Sequence, residues 1–95
     1  MEERIEKHRE FLVARIDPEF GLLDKLLASG ALRREELQKI KLSSNTTWDK
    51  NRILLDFILK NKKANEFISA LRDSGQNHLV NYLNADGGKR NARLS

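Results

Sequence analysis

Ile53-Leu54-Leu55-Asp56-Phe57-Ile58-Leu59 carries apolar side chains around most of a helix circumference. A helix that is apolar on several sides must be covered on several sides, so this segment is expected at the centre of a helical bundle. Toward the N-terminus, Ser43-Ser44-Asn45-Thr46-Thr47 reads as a polar loop ending in capping residues, and Thr46 with Asp49 three positions on approximates a capping box. A short helix over about 33–41 precedes it, with Leu37 and Ile40 facing inward and Leu32 leading in. Its start is poorly signalled, because Arg33 stands where Ser, Thr or Asp would cap. Leu22, Leu23, Leu26 and Leu27 mark another helix that stops at Ser29-Gly30, where glycine can take the left-handed conformation. Asp17-Pro18 is expected to open it, as an acidic cap followed by proline at the first helical position. The first helix runs from about Glu2 to Ile16, with Ile5, Leu12 and Ile16 on one stripe and Phe11 and Val13 widening it. Toward the C-terminus, Ala64, Phe67, Ile68 and Leu71 share a face that ends at Ser74-Gly75, and Leu79, Val80 and Leu83 belong to a last short helix.

Six such helices, none long enough to be stable alone, imply an all-α bundle with short connections. From Asp86 the composition changes to Gly87-Gly88-Lys89-Arg90-Asn91-Ala92-Arg93, so residues 1–85 are expected to form the domain and residues 86–95 a flexible tail or linker. Apolar residues make up 39% and charged residues 34%, too apolar for a disordered chain and too charged for a membrane span. The beginning Met1-Glu2-Glu3-Arg4 lacks the apolar stretch of a secretory leader, and the chain is expected in the cytoplasm.

The residues offer little chemistry. Cysteine is absent, which removes thiol nucleophiles and thiolate metal sites from consideration. His8 and His78 are isolated from any close-spaced His or carboxylate motif that binds zinc or calcium. Gly87-Gly88-Lys89 lacks the remaining glycine and the Ser or Thr of a phosphate loop. No catalytic, cofactor or metal residue is expected, and an enzyme is the least favoured class. The net charge of +4 lies partly in the tail, where Lys89, Arg90 and Arg93 outweigh Asp86. Residues 1–85 are left with 15 basic and 13 acidic side chains, which disfavours nucleic acid as a partner. Trp48, in the first turn of the central helix, either covers the end of the core or stands partly exposed as an aromatic anchor for a partner.

Taken in order, Leu22-Leu23-Asp24-Lys25-Leu26-Leu27-Ala28-Ser29-Gly30-Ala31-Leu32, Glu35-Glu36, Ile40, Asp49-Lys50-Asn51-Arg52-Ile53-Leu54-Leu55-Asp56, Phe67-Ile68-Ser69-Ala70-Leu71, Gly75-Gln76 and Leu79 closely resemble a caspase recruitment domain. The match covers about residues 5–85. The resemblance implies a six-helix antiparallel Greek-key bundle of the death-fold superfamily, often with a bent first helix. It also implies a module without enzymatic activity that binds others of its kind, in a caspase, an adaptor or a nucleotide-binding oligomerisation protein, in apoptotic or inflammasome signalling. Self-association into oligomers or helical filaments follows from the same likeness.

In that family a basic surface on the first and fourth helices meets an acidic surface on the second and third. By position the basic side falls on Arg9, Lys50 and Arg52. The acidic side falls on Asp24 and Glu36 with Glu35 beside it, diluted by Arg33, Arg34 and Lys39. The same side chains also read as ordinary solvated charges, each exposed pair contributing about 0.2–1 kcal/mol. Two other readings stay open. One is a small basic helical domain that binds nucleic acid through Lys39, Lys41, Lys89, Arg90 and Arg93; the other is a decoy of the same fold that caps assembly.

Overall fold

The apolar spacing resolves into helices throughout the computed structural model, which describes residues 1–19, 21–42 and 46–85. They are α1 (Glu2–Lys7), α2 (Arg9–Arg15), α3 (Leu22–Ser29), α4 (Arg34–Leu42), α5 (Thr47–Asn61), α6 (Ala64–Asp73) and α7 (Asn77–Asn84), with no strand among the described residues. Residues 43–45 of the expected loop and the expected tail over 86–95 lie outside the described residues.

Helices α1 and α2 are the two halves of one bent first helix, so the six-helix reading holds. The break falls on His8, at φ −106° and ψ 26°. Each half is tied to a different partner. Arg4 Nη1 donates to the carbonyls of Leu83 and Asn84 at 3.2 and 3.3 Å, at the end of α7, where a cation also suits the helix dipole. The end of α2 is tied to α5, because Asn51 Nδ2 donates to the carbonyls of Val13 and Ile16 at 2.9 and 2.8 Å. On the outer side Phe11 stacks on Tyr82 with ring centroids 3.6 Å apart, the His8 ring meets Tyr82 edge-on at 5.2 Å, and the Arg15 guanidinium lies over Phe11.

The most extensive packing joins α2 to α5 and α3 to α6, pairing first with fourth and second with fifth as a Greek key requires. Helix α5 meets α2, α4 and α6, which places Ile53–Leu59 at the centre as its composition demands. Leu54, Leu55 and Ile58 are fully buried with Ile5, Leu12, Leu22, Leu26, Phe67, Leu71 and Leu79 in one continuous core. Each such side chain contributes about 1.5–3 kcal/mol of transfer free energy before conformational entropy is subtracted.

The helix ends follow local chemistry. Gly30, at φ 84°, closes α3, and the Ala31 N–H donates to the Leu26 carbonyl at 2.9 Å in a Schellman pattern. Thr46 Oγ1 accepts from the Asp49 N–H at 3.1 Å, the capping bond expected for α5. The expected start of α3 is corrected: the helix begins at Leu22 after Gly21, not at Asp17-Pro18. Asp17 instead folds a turn, its Oδ1 accepting from the Glu19 N–H at 3.1 Å. Its backbone is held by Gln76, which accepts from the Asp17 N–H at 2.8 Å and donates to its carbonyl at 3.0 Å.

Candidate protein-interaction faces

The first turns of α5 present Trp48, Lys50 and Arg52. Residues four apart on a helix share a face, whereas residues two apart do not, so Trp48 and Arg52 go together and Lys50 points elsewhere. Trp48 and Arg52 line a cleft of about 210 Å³ with Arg9, Glu10 and Val13 of α2. Trp48 is 48% exposed and stands outside the core cluster, which leaves its ring available to a partner.

Both arginines of this cleft have carboxylates beside them. Arg9 Nη2 forms an ion pair with Asp56 and donates to the Arg52 carbonyl at 3.2 Å, bridging α2 to α5. Arg52 Nη1 lies 3.9 Å from Asp49 Oδ1 one turn earlier. Lys50 Nζ reaches Glu19 Oε2 at 3.0 Å, in the turn that leads to α3. The structure therefore divides the three cations expected on one basic surface: Arg9 and Arg52 converge, and Lys50 leaves toward the opposite group.

The acidic candidates divide as well. Asp24, in the first turn of α3, is exposed and lines a small cleft with Glu19, Leu23 and Lys41. Glu35, in the first turn of α4, is exposed. Glu36 is only 9% exposed. Its Oε1 accepts from the Arg33 N–H at 2.9 Å, and Asn61 Nδ2 donates to its two oxygens at 3.1 and 3.3 Å. This is the reciprocal half of a capping box, supplied from the third helical position, and it explains how α4 starts without a capping side chain at Arg33. The Glu36 carboxylate is thus engaged within the fold. No hydrogen bond or ion pair among the described residues joins Asp24 to Arg52, so these two charges do not cancel inside one copy.

Asn51 was not singled out from sequence, although a signal exists. Asn51, Leu54, Leu55 and Ile58 recur at three- and four-residue spacing, and all four are fully buried. An amide at such a position must meet buried polar groups, which here are the last carbonyls of α2. The counter-ions Asp56 and Glu19 were likewise passed over; the Arg9–Asp56 and Lys50–Glu19 pairs cross 47 and 31 residues, which no local spacing reveals.

The caspase recruitment domain family model matches residues 2–86 of this helical bundle. The chain belongs to the caspase recruitment domain family. No curated protein and no solved structure matches it. A CARD is a homotypic protein-interaction domain. Among the described residues of this CARD, no group of three or more His, Asp or Glu could hold a metal ion, and no helix is long and apolar enough to cross a membrane.

Proposed function

We propose that this domain works in the cytoplasm as a recruiting module that binds CARD-containing partners and further copies of itself. The contact sets the Arg9, Trp48 and Arg52 cleft of one molecule against the Asp24 and Glu35 surface of another. The observation that carries this reading is the convergence of Arg9, Trp48 and Arg52 in one exposed cleft between α2 and α5, while Asp24 and Glu35 stand on α3 and α4. In such a contact the charges mainly choose and orient the partner, and a half-exposed tryptophan is the kind of side chain that supplies affinity when covered. Two unlike faces on one molecule make a head-to-tail contact, which propagates into a ring or an open helical filament. Family membership supports the choice of partner class, a caspase, an adaptor or a nucleotide-binding oligomerisation protein, and a role in apoptotic or inflammatory signalling.

The test is charge exchange. Asp24→Arg and Arg52→Glu are each expected to prevent growth of light-scattering assemblies as concentration rises, and their mixture to restore pairwise binding. Two single variants that assemble as the unaltered domain does would refute the proposal.

A further inference from the structure

The cleft is basic by its residue names and not by its charge balance. Arg9 and Arg52 supply two formal positive charges, whereas Glu10 lines the same cleft, Asp56 is paired with Arg9, and Asp49 approaches Arg52. Three carboxylates thus surround two guanidinium groups. An incoming carboxylate meets this resident field before it meets either arginine.

Asp56 is the member of that set whose role is separable. Its side chain is 64% exposed and holds Arg9, a lining residue of the cleft that is 24% exposed, from beside that lining. Asp56 is not the sole anchor of Arg9, since the Arg52 carbonyl accepts from the same guanidinium nitrogen at 3.2 Å. Asp56 therefore shares the placement of Arg9 with a backbone carbonyl, and it alone of the two subtracts a full charge from the surface that Arg9 presents. Asp49 lies in the first turn of α5, where an acid also favours the helix dipole, so its removal would mix two effects.

We infer that Asp56 is a specificity-determining residue that restrains this domain by competing with the partner carboxylate for Arg9. The inference rests on the cleft being the docking face proposed above. A partner that brings acids alone is penalised by like charge, and only one whose apolar contact with Trp48 or whose geometry at Arg52 compensates is accepted. The restraint raises the concentration at which copies join and narrows the range of partners.

The experiment uses a pair of complementary copies so that growth beyond two is blocked. One copy carries Asp24→Ala with Glu35→Ala and keeps its cleft; the other carries Arg52→Glu and keeps Asp24 and Glu35. Their affinity is measured by titration calorimetry with Asp56 or with Asp56→Asn in the first copy, and urea unfolding of each variant checks that the fold persists. The expected result is binding about 1.5- to fivefold tighter when the first copy carries Asp56→Asn, the scale of one exposed charge contact. The gain should shrink as salt rises from about 0.1 M to about 1 M, because the Debye length falls from about 10 Å to about 3 Å. A pair that forms with unchanged or weaker affinity on substitution overturns this inference and leaves the docking face standing. A pair that forms neither with Asp56 nor with Asp56→Asn overturns both.

Discussion

At Glu36 a single carboxylate separates what holds the fold from what faces outward. It accepts from the Arg33 N–H and from Asn61, whereas Glu35, one position earlier, is exposed. Neighbours in sequence on a helix point about 100° apart, so one acid can close a turn while the next meets a partner. Glu36→Ala is expected to destabilise the domain by about 1–2 kcal/mol, as lost caps do, and Glu35→Ala to lower the urea midpoint less, by the smaller contribution of a first-turn acid, while weakening association. Equal losses of stability in the two variants would contradict this division. The role of Glu36 was legible from its place three residues after Arg33, by the capping-box rule that identified Thr46 and Asp49. It was hidden because the family likeness already offered the residue an outward role. Lys50 shows the converse: its two-residue spacing from Arg52 sets the pair on different faces, and reading both as basic was not enough to put them together.

Between elements, the junction of α2 with α5 is the one that shapes the cleft. Asn51 is fully buried and its amide satisfies two carbonyls at the end of α2. Asn51→Ala would leave both carbonyls buried without a donor and is expected to cost about 2–3 kcal/mol, visible as an earlier denaturant midpoint. Asn51→Leu, which restores volume and not hydrogen bonding, should recover little of that loss. The helices themselves were legible because their apolar faces recur every three or four residues, and Leu22 to Leu27, Ile53 to Leu59 and Phe67 to Leu71 all lie where that period puts them. The start of α3 was not. Asp17-Pro18 satisfies the rule for a helix start and also the rule for a turn, and the turn prevails because Gln76 holds the Asp17 backbone from 59 residues away. A bond across that separation leaves no trace in local sequence.

For the whole molecule, the proposed assembly depends more on carrying both faces than on the strength of either. A copy with one face removed can join the end of a growing assembly and cannot extend it. Asp24→Arg, added as a minor fraction to the unaltered domain, is therefore expected to shorten or arrest its assemblies, in proportion to the fraction added, by electron microscopy. Assemblies of undiminished length would mean that copies meet through some other pair of surfaces. The bundle beneath is expected to survive such a change at a cost of about 0.3–1 kcal/mol for a first-turn charge, since its stability rests on one continuous apolar core.

Trp48 has one more consequence, which is optical. The chain contains a single tryptophan, and it is half in water beside two arginines. Its indole emission therefore arises from the rim of the cleft alone, with no buried fluorophore of its kind to obscure it. Covering that ring would shift its light toward the blue, so the molecule carries an intrinsic, label-free reporter of whether the cleft is occupied.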